Sequence, residues 1–355
     1  MDASGRSAVN RRPGTTAWSG VVLLALALAL AAAAASAEQP PGHIEAPAPG
    51  AASTQPGPLY AAPTGENHSG RIHVVVEING KGPYRFIVDT GANSSALTPR
   101  VAEELALPPV EAGVVRVHGV TGAALLPAVR VESIRAGGIE LPPGTLPVLA
   151  GDIFAGADGI LGVAGIQGMR IDVDFVRDRV EITPSSGKRA PVGYVTVSAS
   201  LWRGGLMLVK GRVGSVPAKV IIDTGAERTI GNMQLRAAIL AKSRRSKEYD
   251  TDVHGATPAV GAGKIFKAPR IWIGPAQLVD LPVTFGDLYV FEVWGLASEP
   301  ALVVGMDVLG RLERFVVDYH RKEFQMKSKG GTGVAVRRCT QSSCASRIPE
   351  KPYQL

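Results

Sequence analysis

Tyr84-Arg85-Phe86-Ile87-Val88-Asp89-Thr90-Gly91-Ala92 and Ala218-Lys219-Val220-Ile221-Ile222-Asp223-Thr224-Gly225-Ala226 are two copies of one pattern, about 135 residues apart, a period that marks an internal duplication. Each copy is an apolar, β-branched run of the kind that forms a buried strand, and each ends abruptly in Asp-Thr-Gly-Ala. Three further landmarks follow in the same order. Val117-His118-Gly119 is echoed by Val253-His254-Gly255, and Ile139-Glu140-Leu141-Pro142 by Val279-Asp280-Leu281-Pro282. Gly159-Ile160-Leu161-Gly162 with Asp174-Phe175 behind it is echoed by Leu302-Val303-Val304-Gly305 with Asp318-Tyr319. Matching landmarks in matching order predict two lobes of like architecture.

A carboxylate placed directly after a buried strand is expensive unless it has a partner. Packing the two copies about a pseudo-twofold axis supplies one, because Asp89 and Asp223 then meet at the axis. Two carboxylates a few ångströms apart cannot both ionise, so they share a proton and titrate as a pair. One can act as base toward a water while the other donates to a carbonyl under attack. Thr90 and Thr224 offer hydroxyls to lock the two loops together. Gly91 and Gly225 let each loop approach the other without a Cβ clash.

These motifs resemble those of the aspartic proteases, and the retropepsin-like branch more closely than the pepsins. The resemblance covers residues 70–327. It implies an all-β fold of two retropepsin- or pepsin-like β-barrel lobes related by a pseudo-twofold, with the active-site cleft between them. It assigns Asp89 and Asp223 as the catalytic aspartates and Thr90, Gly91, Ala92, Thr224, Gly225 and Ala226 as the supporting loops. Ile160, Leu161, Gly162, Val303, Val304 and Gly305 match the segment behind those loops. His118-Gly119 and His254-Gly255 fall at the flaps, where a solvated loop is the plainer reading of both histidines. The Tyr of the pepsin flap is missing from both. A hydroxyl residue follows Asp-Thr-Gly in pepsins and hydrogen-bonds the carboxylate. Ala92 and Ala226 cannot do so, which raises the expected pKa of the pair and places activity at mildly acidic to neutral pH. The implied reaction is peptide-bond hydrolysis on a peptide or protein substrate, with no metal and no cofactor. Both halves lie on one chain, so a monomer is expected.

Residues 70–186 and 193–327 are the expected lobes, with 187–192 as the linker between them. Thr98-Pro99 caps a short helix over Arg100 to Ala106, and Asn232 to Ala241 forms its counterpart. Lys242 to Lys247 holds four basic residues and reads as a solvated loop. Asn67-His68-Ser69 and Asn93-Ser94-Ser95 fit a glycosylation sequon, but a glycan at Asn93 would obstruct the cleft.

The whole chain has 355 residues, 45% hydrophobic and 19% charged, which excludes wholesale disorder. Its formal charge of +7 belongs to the ends: 29 basic and 29 acidic residues remain between 38 and 326 once both ends are set aside. A neutral body argues against nucleic acid as a partner. Residues 1–37 read as a signal peptide, with Arg6, Arg11 and Arg12, the apolar run Val21 to Ala35, and Ala35-Ser36-Ala37 at the cleavage position. An uncleaved anchor is the other reading. Either way the expected location is outside the cytoplasm, periplasmic or secreted. Residues 38–69, with seven Pro and six Ala, are too poor in large apolar groups to fold and predict a disordered tether. Residues 328–355 predict a disordered basic tail that could make a weak contact with an anionic surface. Cys339 and Cys344 could close a small disulfide loop there or remain free thiols. Two rival functions stand beside the protease: a peptide-binding protein of the same fold, silent or latent under its tether, and a tail that docks the protein on an anionic envelope surface.

Overall fold

The computed structural model describes residues 70–136, 139–242 and 247–329, together with the backbone of 334–336. The signal segment, the tether, most of the Lys242–Lys247 cluster and the two cysteines lie outside the described residues.

In the first lobe the hairpin His73–Ile78 and Lys81–Val88 carries Asp89 at its exit. Phe86, Ile87 and Val88 are all buried, which explains a continuous apolar run where an exposed sheet would alternate. The same strand pairs in parallel with Gly159–Leu161, which pairs on its other edge with Ala96–Leu97. The second lobe repeats this plan. Leu206–Val213 pairs with Val216–Ile222, which runs parallel to Ala301–Val304, itself antiparallel to Ile230–Asn232. The registers correspond: Ile87 faces Ile160 as Ile221 faces Val303.

Each lobe extends a long hairpin, Pro109–His118 with Ala123–Val131 in the first and Tyr249–His254 with Val260–Lys267 in the second. The first forms a three-stranded sheet with Gly144–Pro147, whereas the second is continuous with the main sheet of its lobe through Pro282–Gly286. Short helices cover the lobes. Thr98 caps α1 (Pro99–Glu104), and Asn232 caps α2 (Met233–Leu240) by accepting from Leu235 N–H at 2.9 Å. A third, α3 (Tyr289–Val293), follows Pro282–Gly286 in the second lobe; a 3₁₀ turn, Asp152–Phe154, takes its place in the first.

The protein is all-β and two-lobed, but the lobes do not end where the repeat ends. Met169–Asp174 pairs with Arg179–Pro184 on one side and with Leu312–Asp318 on the other. Glu323–Ser328 then joins Leu312–Asp318 to Val195–Trp202. The closing hairpins of both lobes thus form one sheet, and one apolar cluster draws on both lobes, from Ile72 to Met326. Asp174 and Asp318 sit at matching turns, where Asp174 accepts backbone N–H bonds from Val176 and Arg177, and Asp318 accepts one from Arg321. The expectation of a wholly disordered tail needs correction: Val334–Val336 pairs with Ala276–Leu278 and adds a strand to its open edge. A short run with two β-branched residues suffices to use unpaired backbone groups of that kind.

Candidate active site

Asp89 and Asp223 leave their strands at the same height because each backbone N–H is held by the parallel neighbour, Asp89 N to Leu161 O and Asp223 N to Val304 O, both 3.0 Å. The loops are then tied to each other. Thr90 N donates to Thr224 Oγ1 and Thr224 N to Thr90 Oγ1, both at 3.1 Å. The hydroxyls pass their protons across the axis, Thr90 Oγ1 to Ile222 O at 2.8 Å and Thr224 Oγ1 to Val88 O at 2.6 Å. Both threonines are fully buried, so every one of these bonds is made away from water, where a missing partner is costly.

The carboxyls are brought together across this brace, each packed against the glycine of the opposite loop. Asp89 Oδ1 also accepts from Gly91 N at 2.8 Å and Ala92 N at 3.0 Å; Asp223 Oδ1 accepts from Gly225 N at 2.9 Å and Ala226 N at 3.1 Å. Position four therefore does serve the carboxylate, through backbone where sequence offered no side-chain donor. Burial pushes both carboxyls above their ordinary range, and at Asp223 the charge of Asp89 adds to the rise. The loop N–H groups, and at Asp89 the Arg71 charge, pull the other way. The dominant cause of the raised pair is thus desolvation and mutual repulsion rather than a missing hydroxyl. One proton is retained where ordinary carboxyls have lost theirs.

The segments behind the loops complete the symmetry. Val163 N donates to Ala92 O and Met306 N to Ala226 O, which brings Gly162 and Gly305 against the loop backbones. Each of these glycine N–H groups donates to a hydroxyl six residues after an aspartate, Gly162 to Ser95 Oγ at 3.1 Å and Gly305 to Thr229 Oγ1 at 3.3 Å. That shared offset is the signal the sequence carries for Ser95 and Thr229, neither of which is conspicuous without the fold. Among the described residues no group of three or more His, Cys, Asp or Glu side chains is placed to hold a metal ion.

The two Val-His-Gly segments lie at the ends of the long hairpins, and the hairpin tips meet. Thr121 Oγ1 donates to Ala259 O at 2.6 Å, Thr257 Oγ1 contacts Gly122 O at 3.4 Å, and Gly119 and Gly255 each approach the opposite tip closely. His254 is exposed. His118 is exposed too, yet it is more than a solvated loop residue: its Nδ1 lies 2.9 Å from Tyr289 Oη and its ring stacks on that ring at 5.8 Å.

Departures from the pseudo-symmetry lie beside the dyad, and the repeat gave no sign of them. Arg71 pairs with Glu227 of the other lobe at 3.4 Å and also reaches Ile153 O. In the matching places stand Leu206 and Asn93, and Asn93 Nδ2 donates to Arg203 O at 3.1 Å. His73 pairs in register with Ile87 as Leu208 pairs with Ile221, so an imidazole occupies the place of a leucine. It is 1% exposed and its Nε2 has no partner. Burial, then the charges of Arg85 and Arg71, pull its pKa down to about 4.

The unfolded chain takes up this proton near pH 6.5 and the folded one only near 4. Stability from His73 is therefore complete above the upper value and is lost as pH falls through that window. His73→Leu is expected to remove this slope and to raise the denaturation midpoint at pH 5 more than at pH 7. Denaturant titrations of both proteins at the two pH values check it; parallel pH profiles would refute the assignment.

A protein-family model described as aspartyl protease matches residues 74–164 and 209–308, more than half of the chain and both copies of the duplication. No curated protein matches the sequence.

Proposed function

The chain belongs to the aspartyl protease family, and on that premise we propose that it is an exported, single-chain aspartic endopeptidase with Asp89 and Asp223 as its catalytic pair. One observation carries the reading: two carboxyls are brought together, each against the glycine of the opposite loop, on loops braced by Thr90 and Thr224. In the singly protonated pair the ionised carboxyl takes a proton from a water held between the two. The protonated one donates to the peptide carbonyl oxygen as that water attacks, giving a gem-diol with no covalent link to the protein. Collapse of the gem-diol returns a proton to the leaving nitrogen and breaks the C–N bond. The loop N–H groups hold each Oδ1, leaving Oδ2 for this exchange.

A latent enzyme is the second reading, favoured by the hydrogen-bonded hairpin tips, which must part before a peptide can enter. A binding protein without turnover fits less well, since it has no use for two facing carboxyls and their burial cost. Export rests on the first 37 residues, and a monomer on both halves sharing one chain.

The test is a peptide library offered at pH 3 to 8 to the purified protein lacking residues 1–37, with and without residues 38–69. Cleavage is expected at mildly acidic to neutral pH and is blocked by a hydroxyl-bearing transition-state mimic. Cleavage by the shorter protein alone assigns latency to the tether; none by either would overturn the proposal.

A further inference from the structure

The two long hairpins, whose tips meet, are held unequally. The first tip is fixed to the body of the opposite lobe by three contacts with α3: Val290 N donates to Val120 O at 3.1 Å, His118 Nδ1 meets Tyr289 Oη at 2.9 Å, and the two rings stack. Val120 also packs on the apolar cluster that includes Leu288, Val290 and Phe291. Among the described residues the second tip makes no hydrogen bond to the first lobe beyond those with the opposing tip. Its Ala256 rests on the cluster formed by Ile87, Leu149 and Phe154. The reason is local: the first lobe has a 3₁₀ turn where the second has α3, and the ring it carries, Phe154, is buried and has no hydroxyl to hold a hairpin tip.

We propose that Tyr289 is a positioning residue that keeps the first hairpin closed, so that substrate is admitted by movement of the second hairpin alone. The contacts between the tips are two hydrogen bonds, one at 2.6 Å and one at 3.4 Å, and both break when the second hairpin lifts. Those between the first hairpin and α3 need not break. Peptide then enters from one side and meets a half-formed roof, which lowers the number of groups to be ordered on binding. The inference rests on the protease reading for its purpose but not for its observation.

Hydrogen exchange of the substrate-free protein tests it without turnover, so a silent protein gives the same answer as an active one. Residues 119–123 are expected to exchange about tenfold more slowly than 255–259, the ratio that one or two net hydrogen bonds supply. Tyr289→Phe, which keeps the ring and removes the hydroxyl, is expected to narrow the gap, and Tyr289→Ala to abolish it, while residues 316–326 in the shared sheet stay unchanged. Should Tyr289→Ala loosen that sheet, Tyr289→Phe alone decides. If cleavage is detected, Tyr289→Phe raises KM with kcat little changed. Equal exchange of the two tips in the native protein, or a gap untouched by Tyr289→Phe, overturns the proposal.

Discussion

Asp223→Asn and Asp89→Asn are each expected to lower kcat/KM for peptide cleavage by at least about a thousandfold, the upper part of the range that a positioned acid–base group contributes. An amide can neither accept the proton of the attacking water nor share a proton with its neighbour, yet it fits the same space and keeps an oxygen for the Gly225 and Ala226 N–H bonds. Folding should therefore survive, and binding of a peptide-like inhibitor should weaken far less than turnover. The double variant should be hardly worse than either single one, because the two groups act as a unit. The native pH profile follows from the same pair. Activity needs one proton between two carboxyls, so it falls on the acid side when the second proton binds and on the alkaline side when the shared one leaves. Burial and mutual charge raise the latter step, so the alkaline limb moves toward or past neutrality. Turnover that persists in either variant, or a native optimum below about pH 3, where a pepsin-type pair works, would sink this mechanism.

How far the sequence reveals this site depends on which features repeat. Asp89, Thr90 and Gly91 announce themselves because Asp223, Thr224 and Gly225 stand behind an equivalent strand, and a duplicated acid at the end of a buried run has few other uses. Where the halves differ, the repeat is silent. Tyr289 and His118 lie 171 residues apart, and Tyr289 belongs to a helix without a counterpart in the first lobe. Arg71 and Glu227 are a cross-lobe pair whose equivalents are Leu206 and Asn93, so neither reads as half of anything. His73 is a plain strand residue until the register sets it beside Ile87 where Leu208 stands beside Ile221. The shared sheet was hidden for another reason: the alternation in 169–184 and 312–328 specifies strands with a buried face but not which strand lies alongside. Symmetry was legible; the partners that break it are tertiary facts.

Gly91→Ala and Gly225→Ala are expected to be the most damaging substitutions outside the carboxyls themselves. Neither glycine is in the left-handed region, so conformational freedom is not what requires them. Space is. A Cβ on Gly91 would overlap Cγ and both oxygens of Asp223, and one on Gly225 would overlap the same atoms of Asp89. The obstacle is not the end of a flexible chain, since each carboxyl is fixed by two loop N–H bonds and by its partner. The loops must therefore part, and the threonine brace that sets their spacing must stretch. A displacement of about 1 Å costs on the order of a hundredfold in rate, and overpacking of this kind costs about 1 to 3 kcal/mol in stability. A double-mutant cycle separates the clash from general damage. Asp223→Ala removes the three atoms nearest to a Cβ on Gly91, so Gly91→Ala should destabilise that background much less than the native one. A coupling of about 1 kcal/mol or more is expected, whereas residues that do not touch add within about 0.5 kcal/mol. Additive effects would mean that the loops already stand further apart than a shared proton allows, and the dyad would fall with the clash.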